Sequence, residues 1–290
     1  MADKNTIIQS KKTINCRGML MDLSTPKIMG ILNITPDSFF PGSRTTTVEG
    51  ILKRTETMLA EGADFIDIGA YSSRPGATDI SVTEERERLT PAIKAILKEF
   101  PQAILSADTF RAEVARAAIG EGAHIINDIS GGELDAAMFS TVAELKVPYI
   151  LMHMKGTPQN MKELTDYDHI FGEILLYFSS KMQRLKELGV KDVIIDPGFG
   201  FAKTIEQNFY LLNNFERFSL LGIPVLAGLS RKSMIWKTLG IKSEDALNGT
   251  SVLNTIALTK GADILRVHDV KAALETVQLI RTIGSSNLPQ

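Results

Sequence analysis

Three side chains, Asp108, Asn127 and Asp196, each close a short apolar run and together offer two carboxylates and one amide. Groups of this kind accept and donate several hydrogen bonds to a flat polar heterocycle. The edge of a 2-amino-4-oxo-pyrimidine presents matching N–H donors. A site built this way rejects analogues that lack the partners, because its own polar atoms would then be left unpaired. Lys232, Arg266 and His268 close later runs and form a second set. Arginine grips phosphate with a planar fork, and lysine supplies a compact charge. Together the two sets point to a heterocycle carrying an anionic group.

For these residues to meet, the elements that carry them must end in one place. Short β-branched runs alternate with longer amphipathic stretches along the chain. Strands are expected at 27–33, 65–69, 103–108, 125–128, 148–153, 193–196, 224–228 and 264–267. Helices are expected at 48–61, 83–100, 111–120, 134–145, 170–188, 205–213, 232–238, 245–260 and 270–282, with Thr83 capping the second. Such alternation implies parallel strands joined by crossover helices. Eight units within 290 residues match a closed (β/α)8 barrel of about 250 residues. An open doubly wound sheet would want a Gly-rich phosphate turn after its first strand, and Asn33-Ile34-Thr35-Pro36 is not one. Residues 6–23 alternate in polarity and are read as a small β-hairpin that closes the barrel bottom. The fold class is therefore a single α/β (β/α)8 TIM barrel, one domain over 1–290 with the barrel proper at about 27–285. Its active site belongs at the C-terminal strand ends, where both polar sets lie.

Composition narrows the partners. Lys and Arg number 32 against 34 Asp and Glu, a net charge of −2, and 44 % of residues are hydrophobic. Nothing in that balance favours nucleic acid or an anionic membrane. The longest weakly polar run, 218–230, falls short of the ~20 residues a membrane span needs. The start of the chain lacks the apolar stretch of a secretory signal. The single cysteine, Cys16, cannot form an internal disulfide. A cytoplasmic protein is expected.

The blocks at the strand ends resemble those of dihydropteroate synthases, a family of pterin-binding barrels. They are GILNITPDSF at 30–39, SRPG at 73–76, Asp108-Thr109, Asn127-Asp128-Ile129, LMHMKGTP at 151–158, DPGFGF at 196–201, SRKS at 230–233 and RVHDV at 266–270, in family order. The resemblance runs from about Lys27 to Thr282. It implies condensation of (7,8-dihydropterin-6-yl)methyl diphosphate with p-aminobenzoate, giving 7,8-dihydropteroate and pyrophosphate in folate biosynthesis. It implies Mg²⁺ as cofactor, with Asn33 at the metal–diphosphate end, and a homodimer that sulfonamides target. Asp108, Asn127, Asp196 and Lys232 would hold the pterin, with Met152 lining its pocket. Arg266 and His268 would share the anion. Ser73, Arg74 and Pro75 would belong to a mobile loop, Phe201 and Lys232 would flank the p-aminobenzoate ring, and Ser233 would meet its carboxylate. Asp108, Lys232, Arg266 and His268 are the expected catalytic set. Each of Asp108→Asn, Lys232→Ala and Arg266→Ala is expected to leave a folded but crippled enzyme.

The sequence departs from the family pattern in places: Ala107 replaces a common Val, Ser73 a Thr and Tyr71 an acidic residue, and 39–44 reads FFPGSR. None of these removes a group the chemistry needs. The alternatives are a methyltetrahydrofolate-dependent methyltransferase, which needs no anion grip on the last strand, and a non-catalytic pterin-binding relative, which would have lost Asn33, Lys232, Arg266 or His268. Several residues have plain readings. His124 is structural, His153 bonds within the barrel rim, Cys16 is an apolar filler, and Met234 and Trp236 serve helix packing or a dimer face. Lys203 either reaches the anion or is a solvated loop lysine.

Overall fold

The computed structural model describes residues 11–34, 47–72 and 79–286. It opens with an antiparallel hairpin, β1 (Thr13–Cys16) and β2 (Met19–Asp22). There follow β3 (Lys27–Asn33), α1 (Val48–Ala60), β4 (Phe65–Gly69), α2 (Val82–Glu99), β5 (Leu105–Asp108), α3 (Ala112–Gly120), β6 (Ile125–Asp128) and α4 (Met138–Leu145). The second half holds β7 (Tyr149–Met152), α5 (Ile170–Glu187), β8 (Val193–Asp196), α6 (Ile205–Asn213), β9 (Leu226–Ala227), α7 (Ser233–Leu239), α8 (Leu247–Thr259), β10 (Ile264–Val267) and α9 (Val270–Ser285). The eight strands from β3 onward pair in parallel in the order β8-β7-β6-β5-β4-β3-β10-β9. A bridge between Ile195 and Val225 joins the two ends, with the Ile195 N–H donating to Pro224 O at 3.0 Å. The architecture is the (β/α)8 barrel expected from the alternation of elements.

Side chains alternate across a strand with period 2, and that period sorts the interior into tiers. The lowest tier is apolar: Met29, Phe65, Ile104, Ile125, Ile150, Ile194, Leu226 and Ile264 pack together with Ile14, Cys16 and Leu23 from the hairpin region. The hairpin thus plugs the barrel bottom; the earlier part of its expected range, 6–10, lies outside the described residues. Two residues further along each strand, on the same inward face, stand Ile31, Asp67, Ser106, Asn127, Met152, Asp196, Gly228 and Arg266. The tier changes from apolar to polar in one step, which is why the site sits where it does. Outward-facing strand residues such as Ile66, Ile68, Leu105, Ile126, Leu151, Ile195 and Leu265 pack against the helices in a second cluster.

Some boundaries differ from expectation for local reasons. Helix α2 begins at Val82, because the Ser81 side chain rather than Thr83 caps it, accepting from Glu84 N at 3.1 Å. Helix α4 begins at Met138, not at 134. The preceding chain is taken up by a tight turn in which Gly131 and Gly132 have φ of 58° and 78°. There the Asp128 carboxylate accepts from Ser130 N (2.7 Å) and Gly132 N (2.8 Å), and Asp135 accepts from Ala137 N at 2.9 Å. Strand β9 is two residues rather than five. Among the described residues, no helix is long and apolar enough to cross a membrane.

Candidate active site at the strand ends

The polar tier is wired together before any ligand arrives. Arg266, on β10, reaches across the barrel: its Nε donates to Asp67 Oδ2 at 2.6 Å and its Nη2 to Asp108 Oδ2 at 2.7 Å. Asn127 Nδ2 donates to the same Asp67 oxygen at 3.0 Å. Four strands are therefore tied by one cation, one amide and two carboxylates. Asp67 is fully buried, and its Oδ1 has no partner among the described residues. Burial pushes the Asp108 carboxyl up to about 7, against the opposing pull of Arg266. The Arg266 guanidinium is held firmly charged by Asp67 and Asp108 despite its burial.

Asp196 ends β8 on the same inner face. Its Oδ1 accepts from Gly198 N at 2.7 Å, and burial raises its carboxyl above the usual range. Across the rim, Lys232 precedes α7; its Nζ donates to Phe199 O at 2.6 Å and lies 4.2 Å from the centroid of the Phe201 ring. Burial lowers its ammonium to about 8, with Asp196 opposing. Ser233 opens α7 immediately beside it.

His268 lies just beyond β10. Its ring Nδ1 is 3.0 Å from Ser230 Oγ, its backbone N–H donates to the same hydroxyl at 3.2 Å, and its carbonyl accepts from Arg54 Nη2 at 2.6 Å. Arg231 braces this turn from the neighbouring loop with a two-pronged grip on Asp269, at 2.8 and 2.9 Å. Burial, then Arg266, pushes the His268 imidazole down to about 3. At physiological pH the ring is neutral. Asn33 ends β3, half-buried, with Gly69 as its register partner and Asp108 the partner of Gly69 in turn.

Asp108, Asn127, Met152, Asp196, Lys232, Ser233, Arg266, His268 and Asn33 thus all sit at the C-terminal mouth of the barrel. Ser73, Arg74 and Pro75 lie outside the described residues, as do Phe39 and Arg44. Asp67 is the residue that strand-end reading misses, because it stands two positions before the end of β4. The signal was present as a lone acid in the apolar run FIDIG, at same-face spacing from Phe65. Lys203 is not a solvated loop lysine: it is buried, with its Nζ in a cage of backbone carbonyls and His153. His124 is structural, its Nδ1 accepting from Leu105 N at 3.1 Å.

The chain is similar to known proteins over most of its length. The family model described as pterin binding enzyme matches residues 29–268. The chain is 40 % identical over 276 residues to the dihydropteroate synthase of Escherichia coli strain K12, spanning 93 % of this chain and 96 % of the relative. The crystal structure of Yersinia pestis dihydropteroate synthase with a sulfonamide drug complex superposes with a TM-score of 0.91 at 36 % identity, covering 94 % of this chain and 100 % of that one. The Xanthomonas albilineans dihydropteroate synthase with 4-aminobenzoic acid gives 0.88 at 37 % identity, covering 96 % and 100 %.

Proposed function

Because this chain belongs to the pterin-binding enzymes, and within them to the dihydropteroate synthases, we propose that the wired polar tier, with Lys232, is its pterin seat and that Arg266 and His268 manage the leaving diphosphate. The reaction joins (7,8-dihydropterin-6-yl)methyl diphosphate to p-aminobenzoate and releases pyrophosphate, a transferase step of folate biosynthesis and the target of sulfonamides. What carries the residue assignment is the network in which Arg266 joins Asp67 to Asp108 and Asn127 donates to Asp67, which presents two carboxylates and an amide in fixed orientation at one end of the barrel.

On this reading, Asn127 and Asp196 hold the pyrimidine edge of the pterin, and Met152 packs on its face. The diphosphate leaves first, and the pterin methylene becomes cationic. The Asp108 carboxylate stabilises that developing positive charge, and the Arg266 and His268 N–H groups stabilise the charge gathering on the leaving group. Charges placed in advance in a partly buried site act more strongly than in water and need no reorganisation. The amine of p-aminobenzoate then attacks and gives up one proton to solvent, its ring beside Phe201 and Lys232 and its carboxylate near Ser233. An aniline nitrogen is a competent nucleophile at neutral pH, so no histidine has to act as base.

Mg²⁺ takes oxygen ligands, keeps waters and binds through substrate phosphates more than through all-protein cages. Among the described residues, no three His, Cys, Asp or Glu side chains gather to hold an ion. The Asn33 amide oxygen suits one position on an ion that arrives with the diphosphate. Bound there, the ion supplies charge neutralisation at the leaving group. A homodimer accords with the exposed apolar residues of α8 and α9, Val252, Leu279 and Ile283. A cytoplasmic setting accords with the lone cysteine. The whole chain is read as one domain.

Asp67→Asn should keep the fold but loosen Arg266 and Asn127. A displacement of this kind is expected to lower kcat/KM for the dihydropterin diphosphate by about 10²-fold. Steady-state kinetics with circular dichroism as a folding control checks it. The reading as a whole is tested by pyrophosphate release from purified protein with dihydropterin diphosphate and Mg²⁺. Release that requires p-aminobenzoate, with dihydropteroate formed in equal amount, supports it. Release without p-aminobenzoate, or tight pterin binding with no release, overturns it.

A further inference from the structure

The loop between β8 and α6, residues 197–204, has an unusual backbone. Gly198, Gly200 and Ala202 have φ of 69°, 80° and 49°, so every second residue is left-handed. For Ala202 that conformation is sterically disfavoured and must be imposed by its surroundings. Gly198 is packed so closely that a Cβ there would lie 2.1 Å from His153 O. This alternation turns successive carbonyls of the loop inward, and each meets a donor. Gly198 O and Phe201 O both accept from Lys203 Nζ at 3.0 Å. Phe199 O accepts from Lys232 Nζ, and Ala202 O accepts from Tyr167 OH at 2.9 Å.

Lys203 is the centre of this arrangement. Its Nζ also lies 3.0 Å from His153 Nδ1 and 3.4 Å from His153 O, at the end of β7. An ammonium has three donors and no acceptor. The groups facing it are two loop carbonyls, a histidine carbonyl and an imidazole nitrogen. Burial lowers the Lys203 amine to about 7, with Asp196 opposing, and its charged form needs a neutral His153 that presents the Nδ1 lone pair. Burial first, and then Lys203 beside it, depress the His153 imidazole well below its usual range, consistent with that state. The His153 ring is in turn held edge-on against Tyr177, 4.8 Å between centroids, and the Tyr177 hydroxyl donates to Met152 O at 2.9 Å. The cage is continuous with the wall of the site, and Lys203 acts electrostatically on Asp196 there.

We propose that Lys203, seated on His153, is a positioning residue for p-aminobenzoate: it fixes the backbone of residues 198–203 so that the Phe201 ring and the Phe199 carbonyl meet Lys232 in the geometry that receives the arylamine. The inference rests on the placement of p-aminobenzoate beside Phe201 and Lys232 proposed above. It assigns a role to two residues outside the network of Asp67, Asp108, Asn127 and Arg266. The loop carries its two aromatic contributions on a strained backbone, and a strained backbone persists only where its neighbours over-determine it. Remove the ammonium and Phe201 O and His153 Nδ1 lose their donor, while Gly198 O keeps only the Phe201 N–H, at 3.1 Å. The loop then relaxes, and Phe201 leaves its place over Lys232.

The test is a double-mutant cycle in the full chain, read as separate KM values for the two substrates. Phe201→Ala should raise KM for p-aminobenzoate. Lys203→Met should raise the same KM about tenfold and leave KM for the dihydropterin diphosphate within about twofold, and the double variant should be no worse than Phe201→Ala alone, because residues acting as one unit are not additive. Purely structural damage would move both substrates and add to the Phe201 effect. Should Lys203→Met fail to fold, Tyr167→Phe deletes only the hydroxyl on Ala202 O. It should raise KM for p-aminobenzoate alone, about threefold, and again not add to Phe201→Ala. Additive effects, equal effects on both substrates, or no effect in an enzyme whose wild type turns over would overturn the clamp. A wild-type protein with no p-aminobenzoate-dependent turnover would instead overturn the functional reading, and the clamp would fall with it.

Discussion

Arg266→Ala is expected to reduce p-aminobenzoate-dependent turnover by about 10³-fold and, at pH 8, to destabilise the chain by about 3–5 kcal/mol. The first effect follows from the loss of a fixed cation where charge develops. The second comes from what Arg266 does in the resting molecule. It bridges Asp67 and Asp108 at 2.6 and 2.7 Å, and its removal leaves two carboxylates without their shared cation in the barrel interior. Breaking one side of a buried ion pair is far more damaging than replacing the whole pair. The sequence alone suggests a folded, crippled variant; the wiring adds a stability defect. That defect should depend on pH in a definite sense. Burial already raises Asp108 to about 7, with Arg266 pulling it down. Without Arg266 the folded-state value rises further, so the native state binds a proton that the unfolded state releases. Stability is then regained as pH falls through that range, because stability falls with pH wherever the native state holds more protons. Urea unfolding at pH 8 and pH 6 should show the deficit shrinking at the lower pH. An equal deficit at both would disprove the account.

Asp108→Asn should behave in the opposite way in the resting protein. A folded carboxyl near 7 against an ordinary value of 3.8 means that the native state holds its proton more tightly than the unfolded chain. The contribution of this group is favourable below about 4, declines as pH rises to about 7, and is constant above. Asparagine has no such titration. The variant should therefore gain on the wild type across pH 4–7 and be no less stable at pH 8. Its turnover should nevertheless fall by about 10²–10³-fold, since the amide cannot stabilise a cation at the pterin methylene. The wild-type kcat/KM should rise with pH through about 7, reporting the free enzyme's essential carboxylate, and that limb should be missing from the variant. A variant less stable than wild type at pH 8, or one that keeps the limb, would show that Asp108 is not the group. A residue that costs stability while serving turnover is the usual signature of an active site.

The barrel was legible because its signal is repetitive. Each β-branched run is followed by a helix-length amphipathic stretch, and an error at one boundary does not disturb the count. The errors arose where a side chain or turn overrode periodicity, as at Ser81 and at the Asp128–Gly132 turn ahead of α4. The site was legible at strand ends, since Asp108, Asn127, Asp196, Arg266 and His268 interrupt apolar patterns there. Asp67 was hidden because its role depends on a partner 199 positions away, a distance at which spacing carries no information. For Lys203, the sequence left open whether the side chain reaches the anion or stands in solvent; it does neither openly, being buried among the carbonyls of a loop whose alternate residues are left-handed. The neutral state of His268 was equally out of reach, because burial and Arg266, not residue type, set it.

The plug at the closed end of the barrel has a use of its own. Cys16, the one cysteine of the chain, is fully buried among the lowest interior tier, and its thiol is pushed up to about 12 by burial and by Asp192. Only a thiolate reacts with alkylating reagents, so in the closed molecule this sulfur is chemically silent. It becomes reactive when the floor opens. The protein therefore carries an internal timer: the rate at which a maleimide captures Cys16 measures how often the end opposite the active site comes apart, without any added label and without disturbing the residues that do the chemistry.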